Sequence, residues 1–474
     1  MGLRPLPGRI NSWSRIVRNL VFGLWVVACC GVAGPASAES VDRPNVVLIL
    51  VDDLGVSDVG CQGNTFIETP HIDKLAKDGT RFTNSYSACT VCSPTRASLL
   101  TGQYPARLHI TDWIAGHVDP KAKLKVPDWT MHLSTKLFNI AKGFKSAGYA
   151  TASIGKWHLG GPEYYPEEQG FDVNIGGNDR GQPGRYFPPY KVEGLPDGPP
   201  DEFLTDRLTA EANRWIEANK DRPFFLYLPH YAVHTPLAGK SEVIDKYKRK
   251  VARMGIQANA TYAALVESVD DSVGAIRAKL DELGLSDRTI LIFTSDNGGL
   301  IGRPNNPITT NPPYRAGKGS AYEGGVRVPL IVLWPGETKP GSTTDAQTIT
   351  PDFLPTLAEA CGFQIPQDHP IDGVSLVPAL KRSGNLKPRP LYWHYPHYHP
   401  GGATPYSAVR DGDWRLVEFF EDGRVELFNL AEDVGETKNV AAAHPDITNR
   451  LLKQLAAWRK EVGAQLPSPN PDAE

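Results

Sequence analysis

Five short apolar runs, each of a length suited to a strand, constrain this chain more than any other feature. Asn45 to Val51 reads Asn-Val-Val-Leu-Ile-Leu-Val, a β-branched and aliphatic stretch without the polar alternation of a half-exposed strand. Similar runs recur at Ala150 to Ile154, Phe224 to Leu228, Thr289 to Thr294 and Pro329 to Leu333. Between them lie helical patterns, notably Leu137 to Ala147, Thr205 to Asn219 and Tyr262 to Leu283. Strands buried on both faces and alternating with helices imply an α/β fold with a large mixed, mostly parallel sheet flanked by helices. Ligands of such sheets collect at the carboxyl ends of the strands. The polar residues just after each run are therefore the place to look for chemistry.

The rhythm changes near residue 385. The aromatic and histidine-rich segment Leu391 to His399 leads into short alternating runs, Ser407 to Arg410, Trp414 to Phe420 and Val425 to Leu430. Turn signals Asp411-Gly-Asp413 and Glu421-Asp-Gly423 separate them, the mark of an antiparallel meander. A helix from about Ile447 to Val462 closes this part. The expected organisation is a catalytic α/β domain over 39–385, a smaller antiparallel subdomain with its helix over 386–466, and a frayed tail over 467–474.

Residues 1–38 stand apart. Arg4, Arg9, Arg15 and Arg18 precede an uncharged apolar stretch, Leu20 to Ala33, and Ala36-Ser37-Ala38 supplies a small-residue cleavage site. This pattern predicts a secretory signal peptide cut after Ala38, hence a secreted or periplasmic protein, with no membrane span once it is removed. Cys29, in Val-Val-Ala-Cys, offers a competing lipoprotein anchor. Removing four arginines and no acidic residue takes the formal charge from −3 to −7. That balance gives no electrostatic footprint for nucleic acid. Four cysteines remain, Cys61, Cys89, Cys92 and Cys361, too few for a disulfide framework at this length.

At the strand ends, Asp52-Asp53 follows the first run and Ser295-Asp296-Asn297 follows the Thr289 run. Three carboxylates and an amide oxygen make an anionic, oxygen-rich donor set suited to Ca2+, with Mg2+ as the other hard cation. Without a metal, mutual repulsion would push at least one carboxylate to bind a proton. Lys156-Trp-His158 follows another strand, and alternation points both side chains the same way, one a fixed charge and one a proton-transfer group. His230 and His234 follow the Phe224 run, and Lys318 precedes Glu323-Gly-Gly-Val-Arg327-Val-Pro329. Cys89 and Cys92 form a Cys-x-x-Cys pair, which taken alone reads as a redox dithiol or half a zinc site. No second cysteine pair exists to complete a zinc site.

Val91 to Gly102, centred on Cys92-x-Pro94-x-Arg96, resembles the signature of type I sulfatases. The strand-end pairs and the Lys318 stretch resemble further blocks of that family, so the likeness spans about residues 44 to 460. Tyr322 departs from the family's usual Trp and leaves the lysine unaffected. The resemblance implies an alkaline-phosphatase-like fold and hydrolysis of sulfate esters. It implies that a maturation enzyme converts Cys92 to formylglycine (3-oxoalanine), whose hydrate attacks sulfur. Catalytic roles then fall to Cys92, Arg96, Lys156, His158, His234 and Lys318, with Asp52, Asp53, Asp296, Asn297 and residue 92 holding the metal. In the implied mechanism one hydroxyl of the hydrate forms a covalent sulfate intermediate. His158 then deprotonates the other hydroxyl, and the hemisulfate collapses to aldehyde and free sulfate. His234 or Lys318 would assist the leaving alcohol, and Glu323 and Arg327 would pair to hold their loop.

The expected partner is a sulfated small molecule or glycan, because export, the aromatic residues Trp113, Trp129 and Trp157 and the aromatic-histidine segment 391–399 suit a carbohydrate. Asp112, His394 and His397 are candidates for substrate contacts. Competing readings are a phosphate or phosphonate ester hydrolase of the same superfamily and an inactive carbohydrate-binding homologue.

Overall fold

An eight-stranded sheet organises the protein, in a computed structural model that describes residues 43–381 and 386–473. From one edge to the other its strands are Ser342–Thr344, Thr80–Phe82, Leu330–Leu333, Thr289–Ser295, Asn45–Val51, Phe224–Pro229, Ala150–Ile154 and Val173–Ile175. Leu330–Leu333 alone runs against its neighbours, so the sheet is mixed and mostly parallel. The central strand, Asn45–Val51, is buried along its whole length. Val47, Ile49 and Val51 face the core shared with helices Pro70–Asp78, Leu204–Ala218 and Ala260–Glu282. Val46, Leu48 and Leu50 face the core shared with helices Cys92–Thr101, Ile140–Ser146 and Phe353–Cys361. Two apolar faces on one strand explain the unbroken run in the sequence.

Leu391–Tyr395, Tyr406–Asp411, Trp414–Phe419 and Val425–Asn429 form the antiparallel meander, with Gly412 and Gly423 at positive φ in its turns. Helix Pro445–Glu461 packs Leu451, Leu455 and Trp458 onto it. The same apolar cluster takes in Cys89, Val91 and Ala321, so this sheet abuts the loops around Cys92 and Lys318.

Residues 1–38, with Cys29 and the expected cleavage site, lie outside the described residues, as do 382–385 beside the expected domain boundary. The tail is a correction. Ser468–Pro469 pairs with Leu124–Lys125, and the Asn470 side chain donates to the carbonyls of Pro120 (3.0 Å) and Ala122 (2.7 Å), so 467–473 is tied down where fraying was expected. Among the described residues no helix is long and apolar enough to cross a membrane.

Candidate active site

Cys92 opens helix Cys92–Thr101, with Val91 extended before it and Pro94 in the first turn. Residue 92 therefore sits where unpaired backbone N–H groups favour an anion. Its Sγ lies 3.5 Å from Asp52 Oδ1 and 3.5 Å from Lys318 Nζ. The ends of three adjacent strands deliver the rest: Asp52 and Asp53 from the first, Asp296 and Asn297 from its neighbour on one side, and His234 from the loop after its neighbour on the other.

Each carboxylate has a close cationic partner, and Asp52 has a second in Arg96 Nη2 at 3.8 Å. Lys156 Nζ is 2.6 Å from Asp52, Lys318 Nζ is 2.7 Å from Asp53, and Arg96 holds Asp296 through Nε (3.0 Å) and Nη2 (2.8 Å). Arg96, Lys156, Asp52 and Asp296 are fully buried. Burial pushes Asp52 up to about 7, opposed by Lys156 and reinforced by Asp296 and Asp53. Burial acts the same way on Asp53, but Lys318, His234 and Lys156 hold it well below the usual carboxylate range. The expected repulsion is thus relieved in two ways, by matched cations and by one raised carboxyl.

Asn297 donates to Asp53 Oδ1 at 2.8 Å, while its own Oδ1 is buried with no partner. Ligand atoms of Asp52, Asp53, Cys92 and His234 all lie within 4.8 Å of one another. An orphaned amide oxygen beside two aspartates is what a hard cation requires, so the donor set fits Ca2+ or Mg2+. Asp53 and His158 both hold positive φ, 62° and 61°, backbone strain of the kind that gathers at functional residues.

His158 Nε2 faces the carbonyl of Ile114, which assigns its proton to that nitrogen and leaves Nδ1 buried without a partner. Burial, with Lys156 next to it, keeps the ring neutral by lowering its pKa well below the ordinary value. His234 is likewise pushed down to about 3 by burial and Lys318, with Nδ1 donating to Thr235 O at 2.7 Å. His230 lies apart, fully buried against Ser272. Glu323 and Arg327 form an ion pair of 2.8 Å and Tyr86 donates to Glu323, so they brace the loop.

Cys92, His158, His234 and Lys318 line a cleft of about 570 Å³ with Trp113, Asp179, Arg180 and His399. The three expected substrate contacts are elsewhere. Asp112 accepts from Tyr395 at 2.7 Å, His394 bonds Ser407 and the Gln465 carbonyl, and His397 bonds Thr111 at 2.8 Å. All three are buried, and none lines the cleft. Trp157 is buried and Trp129 packs on His397, so of the three tryptophans only Trp113 reaches the cleft. The aromatic-histidine segment 391–399 does reach the cleft, through His399 and not through His394 or His397, whereas no sequence signal marked Arg180.

Burial pushes Asp112 up to about 7. A raised carboxyl pKa means that the folded state keeps its proton between about 4 and 7 while the unfolded chain has lost it, so stability falls as pH rises through that window. Asp112→Asn is expected to flatten this slope in denaturant unfolding between pH 5 and pH 8 and to retain turnover; a large rise in KM would return Asp112 to the substrate.

A family model described as Sulfatase matches residues 44–363, and one described as N-sulphoglucosamine sulphohydrolase, C-terminal, matches 317–461. The chain is 31% identical to a Sulfatase of Formosa agariphila, over 96% of this chain and 94% of that one. It is 32% identical to arylsulfatase A of Homo sapiens, over 89% and 88%. The crystal structure of Ps i-CgsB in complex with k-i-k-neocarrahexaose superposes with a TM-score of 0.75 at 29% identity, covering 91% of this chain and 94% of that one. With Cys92, paired charges and oxygen donors gathered around the strand ends, the chain belongs to the type I sulfatases and is a sulfuric ester hydrolase.

Proposed function

We propose that the protein is exported and hydrolyses sulfate esters of carbohydrates, with residue 92 matured to formylglycine and a Ca2+ or Mg2+ ion held by Asp52, Asp53, Asp296, Asn297 and residue 92. The observation that carries the proposal is the setting of Cys92: a helix N-terminus with Lys318 at 3.5 Å, in a pocket where three cations face three carboxylates. A divalent ion there would leave a net positive site for a tetrahedral anion. When bound, the ion would polarise sulfate oxygens and acidify the attacking hydroxyl. The formylglycine hydrate would supply one hydroxyl to attack sulfur and a second whose deprotonation releases sulfate.

The chain's own groups then have distinct tasks. Lys156 and Lys318 neutralise the ester's charge, and Arg96 fixes Asp296. His158, neutral and with Nδ1 free, is built to accept a proton from residue 92. His234 faces the same pocket, 3.7 Å from Asp53 through Nε2, and it or Lys318, whose ammonium faces residue 92, assists the departing alkoxide. One water is consumed, and alcohol and sulfate are released.

Support for a glycan substrate comes from the likeness to Ps i-CgsB, whose structure holds k-i-k-neocarrahexaose, and from Trp113 in the cleft. Export rests on the residue 1–38 pattern, and maturation on a formylglycine-generating enzyme. Defined sulfated sugars should release sulfate, and a matched aryl phosphate should react at least about 100-fold more slowly. Binding of sulfated sugars without release, in protein whose maturation is verified by mass spectrometry, would leave only a carbohydrate-binding role. Exhaustive chelation is expected to abolish turnover and Ca2+ or Mg2+ to restore it; undiminished turnover would remove the metal from the scheme.

A further inference from the structure

The cleft has lining that none of the steps at sulfur uses. Trp113 and His399 meet at a corner, ring centroids 5.1 Å apart and planes at 81°. His399 comes from the loop after strand Leu391–Tyr395, so the C-terminal sheet supplies part of the cleft wall. Its ring is closely held. A Cβ on Gly319 would lie 1.7 Å from His399 Nδ1, so only glycine fits beside it, and the Ala403 amide donates to the Gly319 carbonyl at 2.9 Å. Gly319 adjoins Lys318, which couples the imidazole to the lysine that faces residue 92. The Gly401 amide donates to His399 Nδ1 at 2.8 Å, so the ring proton belongs to Nε2, a neutral donor of the kind that binds a sugar hydroxyl.

Next to this corner the segment Asp179 to Gly184 completes the lining. A Cβ on Gly181 would lie 2.5 Å from His158 Cε1, so the backbone here passes directly against the proton-transfer ring. Arg180 is therefore one residue from that contact. Its amide is fixed by Asn178 Oδ1 at 2.8 Å. Its guanidinium is exposed and, among the described residues, forms no ion pair, not even with adjacent Asp179. Lys318, the other strong cation lining the cleft, is matched by Asp53. A planar, unmatched fork at a substrate cleft suits a carboxylate or sulfate, which it can hold with two parallel hydrogen bonds.

The geometry points to a leaving-group subsite in which Trp113 and His399 receive the sugar ring and Arg180 binds a second anionic group on the glycan, so that the enzyme prefers doubly anionic substrates. This rests on the sulfated-glycan reading above. Aromatic faces give the apolar side of a sugar a platform, His399 Nε2–H gives its hydroxyls a donor, and Arg180 sets which sugars are accepted.

The test compares Arg180→Gln with the parent enzyme on a hexosamine monosulfate, a hexosamine disulfate, a monosulfated disaccharide containing a uronate, and 4-nitrophenyl sulfate. Loss of one bidentate charged contact should lower kcat/KM on at least one doubly anionic sugar about tenfold more than on 4-nitrophenyl sulfate, mainly through KM. Which of the two doubly anionic sugars is affected identifies the anion. An equal effect on all substrates, or a parent enzyme without preference for the doubly anionic sugars, would overturn the subsite. Calorimetric binding of the same sugars to Cys92→Ala protein, with and without Arg180→Gln, reads the subsite without turnover. If the matured parent releases no sulfate from any sugar, the substrate reading fails, and the binding preference still decides for or against Arg180.

Discussion

Cys92→Ala is expected to lower kcat/KM by at least about four orders of magnitude, the scale of losing a covalent nucleophile, while the fold survives. The side chain removed is small, its contacts are polar, and the change in unfolding free energy should stay within about 1 kcal/mol. Denaturant unfolding and sulfate release measured on the same preparations separate the two effects. Retention of activity within about tenfold would sink the assignment of residue 92 as nucleophile. The unmodified thiol is a poor candidate for the same role. Burial pushes Cys92 up to about 12, with Lys156 and Lys318 opposing, so at neutral pH it is protonated and neither attacks nor binds metal well. Cys89 packs in the apolar cluster shared with the C-terminal sheet and does not line the cleft, which weighs against the redox-dithiol reading of Cys89-x-x-Cys92. Cys92→Ser is expected to be nearly as impaired, because a single hydroxyl can accept sulfate but has no second hydroxyl to expel it. Mass spectrometry of the peptide containing residue 92 tests the aldehyde directly.

The sulfur-facing half of the site was legible because it lies where chain direction and burial leave little choice. A strand covered on both faces needs apolar residues throughout, so the first polar residues after it, Asp52-Asp53 and Asp296-Asn297, mark its carboxyl end. The sheet was legible for the same reason. Thr80–Phe82 and Ser342–Thr344, at and next to one edge, were not, since three residues carry no period and their register is lent by Leu330–Leu333 and by each other. Helix Ser241–Met254 buries only Tyr247 fully and rests on Ala260–Glu282, so little in its composition announces a core element. Substrate contacts were misplaced for a further reason. Within Leu391–Tyr395 the register pairs His394 with Ser407 across the sheet, and His397 is turned against Thr111. Only beyond the strand, at His399, does the chain reach the cleft, and that approach depends on Gly319, 80 residues earlier in the sequence. The pinned tail has the same origin, a partner at Leu124–Lys125 that no local pattern names.

Arg96→Ala is expected to damage both stability and turnover, which distinguishes it from the change at Cys92. The guanidinium joins three elements: it sits one turn into the Cys92 helix, holds Asp296 by two bonds at 3.0 and 2.8 Å, and donates to the Lys156 carbonyl at 3.2 Å. Asp296 in turn accepts from the Asp53 amide at 3.1 Å, so the arginine fixes the carboxylates against one another. Deleting it leaves a fully buried carboxylate without its cation, a loss of about 3–5 kcal/mol, with kcat/KM down by about three orders of magnitude. Arg96→Lys restores a charge but not the three-way fork, and should recover part of the stability with turnover still about 100-fold low. A divalent ion discriminates further. Held in the proposed site, it would replace the missing positive charge, so excess Ca2+ or Mg2+ should raise the unfolding midpoint of Arg96→Ala more than that of the parent while leaving turnover impaired. Equal stability of Arg96→Ala and the parent, with turnover within about tenfold, would mean that the carboxylates are held by the fold alone.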